Sequence, residues 1–176
     1  HGIVPTSSTT SQLALGDALA IASMNYKNFG KLDFKKFHPS GTLATKLKTV
    51  EDLMIKGNKI PFIDENSNMK SALKILSKKN LGVLIVRNKK KKTVGVITDG
   101  DLKRAISKND EIKNITLKKI MSKNPISINQ NELAVKALSL MTSKKKITSL
   151  CVYKNEKKNQ TVGLIHIHNI LNANIN

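Results

Sequence analysis

The sequence predicts an α/β (α+β) protein: two β-α-β-β-α units related by a pseudo-twofold axis, preceded by a helical segment with no core of its own. Three observations carry this prediction. An internal repeat covers residues 50 to 171, hydrophobic periods alternate between strand and helix inside each copy, and composition changes before residue 50.

The repeat is read by setting VEDLMIKGNKIPFI (50–63) beside LKKIMSKNPISI (117–128). SALKILSKKNLGVLIVR then matches KALSLMTSKKKITSLCVY, and TVGVITDGDLKRAI matches TVGLIHIHNILNA. Met54 pairs with Met121, Ala72 with Ala137, Leu84 with Leu150 and Gly95 with Gly163, at offsets of 67, 65, 66 and 68. Offsets this constant, slipping only where loops fall, mark two copies of one unit.

Each copy reads alike. A short helix ends near the methionine, and a brief strand follows (60–63; 126–128). An amphipathic helix comes next, with Met69, Ala72, Leu73 and Leu76 on one face, and Leu133, Ala137, Leu140 and Met141 at the same spacing in the second copy. Two strands follow (83–87 and 93–98; 150–154 and 161–166), joined by lysine-rich turns, and a last helix closes the copy (101–107; 169–173). One such unit exposes an apolar sheet face that it cannot bury alone, whereas two packed together can. Residues 50–112 and 113–176 are therefore expected as two modules of one body, with a cleft on each side of the pseudo-axis.

Composition narrows the function classes. The net charge of +19 invites a nucleic-acid reading, but of 31 basic residues only Arg87 and Arg104 are arginines, and aromatics make up 3%. Bidentate arginine contacts and stacking rings are thus scarce, and nucleic acid is not the expected partner. The lone Cys151 excludes an intrachain disulfide and fits a reducing, cytoplasmic compartment. No apolar stretch approaches the ~20 residues of a membrane helix, so no membrane partner is expected. The chain opens on His1 rather than Met, as expected of a fragment or a processed product.

The candidate ligand site lies in TVGVITDGDLKRAI. A strand ending at Thr98 runs into a helix with Asp99 and Asp101 at its start. Free N–H groups and a favourable field at a helix start suit an anion, and an acceptor-only carboxylate suits a vicinal diol. Acids also favour that position simply as caps. The order and motifs of 50–171 resemble the CBS-domain family. The resemblance implies a tandem CBS-domain pair with Thr98 facing a ligand phosphate and Asp101 taking ribose hydroxyls. In the second copy these positions become His166 and Asn169, so the two clefts are expected to be unequal, with the Thr98 and Asp101 cleft the better one. His166 and His168 have no further ligand nearby, so no metal site is expected.

The first 49 residues combine PTSSTTSQLALGDALAIA with FHPSGTLATKL. The cluster Thr6, Ser7, Ser8, Thr9 and Thr10 can cap the apolar helix that follows. A helix and a loop cannot make a core, so their apolar surface should pack on something else. With the CBS pair, this stretch resembles the C-terminal end of arabinose-5-phosphate isomerases, in which a sugar-isomerase (SIS) domain precedes two CBS modules. That resemblance implies that residues 1–49 are a helical remnant of the SIS domain. It also implies that the parent interconverts D-arabinose 5-phosphate and D-ribulose 5-phosphate without a cofactor, for lipopolysaccharide synthesis. His38 then becomes a catalytic candidate, because its pKa suits proton transfer, and Thr6 to Thr10 become sugar-phosphate donors. The family reads His-Pro-Gly-Gly, followed by a small residue, Leu and Gly; here Ser40 and Ala44 replace two of the glycines. The fragment alone is expected to be inactive. An adenine or cytidine nucleotide, or a nucleotide-sugar, is the expected regulatory ligand, and a homodimer or tetramer the expected assembly. The alternative is a free-standing CBS module that senses nucleotides without catalysis.

Overall fold

The structure is a computed structural model that describes residues 3–37, 40–107, 116–143 and 146–175. It divides into two compact units, His1–Leu47 and Lys48–Asn176.

The first unit contains α1 (Ser7–Tyr26), α2 (Lys31–Phe37) and α3 (Gly41–Lys46). Ala and Leu make α1 a strong helix former, yet it buries none of its residues, and Leu13, Leu15, Leu19 and Ile21 stand exposed. Thr6 is the N-cap residue but makes no side-chain cap bond, which corrects the capping expectation. The hydroxyls of Thr9 and Thr10 instead donate to the Thr6 carbonyl, and that of Ser11 donates to Ser7.

The second unit holds both repeats. The first copy supplies α4 (Val50–Leu53), β1 (Ile55–Lys56), a 3-10 turn (Gly57–Lys59), β2 (Phe62–Asp64), α5 (Met69–Lys79), β3 (Val83–Arg87), β4 (Thr93–Thr98) and α6 (Asp99–Ser107). The second supplies α7 (Leu117–Ile120), β5 (Ser122–Lys123), β6 (Ser127–Asn129), α8 (Ala134–Thr142), β7 (Ser149–Tyr153), β8 (Thr161–His166) and α9 (Ile167–Leu171). Local chemistry sets the boundaries. Asn68 caps α5 by accepting the Ser71 N–H, and Asn80 ends it in the left-handed region at φ 50°. Asn88 accepts the N–H groups of Lys90 and Lys92, closing the turn between β3 and β4. Leu133, read from its spacing as part of the apolar helix face, is instead the N-cap of α8.

The sheets run β2-β3-β4-β5 and β1-β8-β7-β6. In each, one pair (β2–β3; β6–β7) is parallel, joined through a helical crossover, and the next (β3–β4; β7–β8) is an antiparallel hairpin. The fourth strand of each sheet comes from the other copy: β5 pairs with β4, and β1 with β8. The β-α-β-β-α order holds within each copy (β2-α5-β3-β4-α6 and β6-α8-β7-β8-α9), and the exchanged strand is added to it. A two-residue strand follows each methionine and is given away to the twin.

Helices follow their strands across. Val50 of α4 is fully buried in the second copy's core among Ile128, Ala137, Leu150 and Ile165. Leu117 of α7 is fully buried in the first copy's core among Ala72, Leu84, Ile97 and Leu102. A third cluster, with Ile60, Ile85, Cys151 and Leu164, seals the two sheets together. Each fully buried aliphatic side chain contributes about 1.5–3 kcal/mol, so the exchanged helices bind the copies tightly.

The pseudo-dyad is visible in matched surroundings. A Cβ built on Gly95 would meet Met121 and the Ser122 carbonyl; one built on Gly163 would meet Met54 and the Ile55 carbonyl. The hydroxyls of Thr93 and Thr161, equivalent in the repeat, touch at 2.7 Å. Lys118 pairs with Glu65 at 3.5 Å, and the equivalent positions hold Glu51, which accepts from Gln130 at 3.1 Å.

Candidate ligand cleft

β4 ends at Thr98, where the chain turns into α6. The exchanged strand β5 lies beside β4, with Gly95 opposite Lys123 and Val96 opposite Ser122. Since β5 has only two residues, the sheet stops short there, and Asn124 (φ 53°) turns the chain away towards β6. The gap left between β4, this turn and the segment before β7 is a cleft of about 320 Å³. Val83, Val96, Ile126, Ile147 and Leu164 give it an apolar floor, with Cys151 beneath. Thr98, Ser122, Thr148 and Ser149 supply hydroxyls, and Lys123 and Lys146 supply charge.

Thr98 and Asp101 are locked together. The Thr98 N–H and hydroxyl donate to Asp101 Oδ2 at 2.9 and 2.8 Å, and the Asp101 N–H donates back to the hydroxyl at 3.2 Å. Arg104 donates to Asp101 Oδ1 at 2.6 Å. Burial pushes the Asp101 carboxyl up, but the bonds from Thr98 and Arg104 outweigh it and leave the pKa below the ordinary carboxylate value. The same T-x-x-D box recurs at Thr49 and Asp52, where Oδ2 again accepts both Thr49 groups. Capping thus accounts for the pair as it stands. Thr98 lines the cleft, whereas Asp101 lies one helical turn back, its carboxylate already engaged.

Asp99 is exposed at the head of α6, its N–H on the Gly82 carbonyl at 3.1 Å. In the second copy the Ile167 N–H meets the Thr148 carbonyl at 2.8 Å in the matching way. His166 ends β8 and caps α9 by accepting the His168 N–H at Nδ1, with the two rings stacked 5.0 Å apart. Burial, then the neighbouring His168, lowers the His166 pKa, so the ring is neutral at neutral pH and offers no charge to a phosphate. Asn169 follows on α9, half-buried. No cluster of three metal-ligating side chains occurs among the described residues.

The sequence reading missed Lys123, Lys146 and Thr148, which come from the second copy yet line the cleft with Thr98 of the first. The signal was the SKNP segment after Met121, matched in the repeat but given no role. Arg87 was also missed. Its guanidinium lies 3.0 Å over the Phe62 ring and donates to the Thr161 carbonyl at 2.7 Å, tying the two copies together.

In the first unit, Thr6 to Thr10 are all exposed at the start of α1. The positive φ belongs to Gly41 (86°), while Ser40 is extended (φ −136°) and Ala44 lies within α3. Neither replaced glycine therefore sits where a side chain strains the backbone. His38 lies outside the described residues. No helix among them is long and apolar enough to cross a membrane.

Two exchanged βαββα units around a hydroxyl-lined cleft define a class, and the family model named "CBS domain" matches residues 50–108 and 117–176. The chain belongs to the CBS-domain family. It is 36% identical over 175 residues to arabinose 5-phosphate isomerase KdsD of Salmonella typhimurium (strain LT2), covering 99% of this chain and 52% of that protein. It is 39% identical over 170 residues to the enzyme of the same name from Francisella tularensis, covering 96% and 51%. The chain thus spans about half the length of the curated relatives it matches, their C-terminal half. Among solved structures it resembles the CBS domain pair of protein MJ0100 in complex with 5'-methylthioadenosine and S-adenosyl-L-methionine. That match has a TM-score of 0.61 and 26% identity, over 71% of this chain and 94% of the other. The CBS domain of a bacterial CNNM/CorC family Mg2+ transporter in complex with ATP shares the fold, with a TM-score of 0.63 and 17% identity over 74% and 89%.

Proposed function

We propose that this chain is the regulatory half of an arabinose-5-phosphate isomerase, with a CBS pair that binds a nucleotide-type ligand in the Thr98 cleft. The observation that carries the proposal is similarity running through the whole chain. The 36% identity extends over 99% of it, including the first unit that a CBS pair alone does not need. The exposed apolar residues around α1 support the same reading, since Leu13, Leu15, Leu19 and Ile21 call for covering surfaces such as the preceding sugar-isomerase domain.

On this reading residues 1–49 are the end of that domain, 50–112 and 113–176 the two CBS modules. His38 and the hydroxyls of Thr6 to Thr10 belong to the isomerase site, His38 as the catalytic histidine that opens the sugar ring or shuttles the proton and the hydroxyls as sugar-phosphate donors. The cytoplasm is the compartment, and a homodimer or tetramer the assembly. The ligand acts by binding one arrangement of the CBS pair better than another.

The test is an isomerisation assay. The 176 residues alone should not interconvert D-arabinose 5-phosphate and D-ribulose 5-phosphate, and the in-frame parent with its upstream segment should. Turnover by the isolated chain, or none by the parent, refutes the assignment.

A further inference from the structure

Resting on the nucleotide reading of the cleft, we infer that its ligand is polyanionic: a nucleoside di- or triphosphate, whose phosphates are held by Lys123 and Lys146. The floor of Val83, Val96, Ile126, Ile147 and Leu164 is apolar and suits a flat base. All the charge lining the cleft has one sign. Lys123 extends from β5 and Lys146 from the segment leading to β7, and among the described residues no carboxylate lines it. Neither acid that the sequence reading favoured is among the residues lining the cleft: Asp101 is paired with Arg104 at 2.6 Å, and Asp99 stands exposed at the head of α6. Neither lysine forms an ion pair among those found in the described residues. The hydroxyls of Ser122 and Thr148 also line the cleft and can donate to phosphate oxygens, whereas the Thr98 hydroxyl is committed to Asp101.

A site of this charge favours each added negative charge on a ligand and disfavours a cation such as a sulfonium. Charge-assisted bonds from two lysines, screened by solvent at this exposed rim, should separate a triphosphate from its uncharged nucleoside by on the order of tenfold or more. The pseudo-equivalent strand end carries His166 in place of Thr98, with its Nδ1 engaged in capping α9.

Calorimetric titration of the full 176-residue chain tests this with adenosine, AMP, ADP, ATP, CTP and S-adenosylmethionine. Affinity should rise with phosphate number, at least tenfold from adenosine to ATP, and the margin should narrow as salt is raised. Inorganic tripolyphosphate should compete with ATP. In a Lys123→Met/Lys146→Met variant whose melting curve matches the parent, the ATP-to-adenosine ratio should fall towards one. The same phosphate dependence with CTP also supports the inference and assigns the base. Adenosine, S-adenosylmethionine and ATP binding within twofold of one another would overturn it while leaving the nucleotide reading intact. A margin that survives the double variant overturns the role of the lysines. Binding of none of these compounds overturns both the inference and the nucleotide reading.

Discussion

Gly95→Ala probes the strand exchange directly. A Cβ at this position would stand 2.8 Å from Met121 Sδ, 3.0 Å from Met121 Cγ and 2.9 Å from the Ser122 carbonyl oxygen. The methionine can swing aside, but the carbonyl cannot, because it belongs to β5, paired to β4 at this residue. Overpacking of this kind costs about 1–3 kcal/mol. For a domain of this size each 1 kcal/mol lowers Tm by roughly 4 °C, so the variant should melt about 4–12 °C early. Differential scanning calorimetry measures the shift. In a Met121→Ala background the extra loss should shrink, leaving only the carbonyl contact, and this coupling shows that the arm of the second copy is the obstacle. Gly16→Ala on α1, with nothing within 4 Å of the new Cβ, is the control and should not lower Tm. A Gly95→Ala protein melting within about 1 °C of the parent refutes the exchanged packing, since uncompensated steric conflict must appear in Tm.

Asp101→Asn should destabilise at neutral pH. The folded pKa is depressed, so its contribution is present above the unfolded value near 4 and is lost as pH falls through the folded pKa. Urea midpoints of parent and variant should therefore converge on acidification, and a constant gap contradicts the charged capping box. Arg87→Met removes the ring contact with Phe62 and strands the Thr161 carbonyl. A loss of about 1–3 kcal/mol is expected in chemical denaturation, and Arg87→Lys should not restore it because the planar fork is gone. The Cys151 thiol, pushed by burial up to about 11 despite Thr161 and Arg87, should react slowly with a disulfide reagent at pH 8. Its labelling rate should keep rising past pH 9, and fast labelling of the folded chain at pH 8 contradicts the burial.

The sequence by itself determined the repeat, the β-α-β-β-α order within each copy and the approximate span of those elements. Those features follow from local rules that leave a pattern: an unbroken apolar run along β3, a 3.6-residue period along α5, and asparagines where the chain must turn. The family also lay open in TVGVITDGDL. The sequence could not say which core each arm enters. Met54 and Met121 are interchangeable in type, β1 and β5 have two residues each, too few for a period, and Val50 reads as apolar in either copy's core. The cleft depends on that choice. Thr98 shares the cleft with Ser122 and Lys123 because β5 crosses to the first copy's sheet, and the Asp101 carboxylate is held by Thr98 and Arg104. Periodicity reports how deeply a residue is buried. It does not report its partner, which the burial of two incomplete sheets against each other decides.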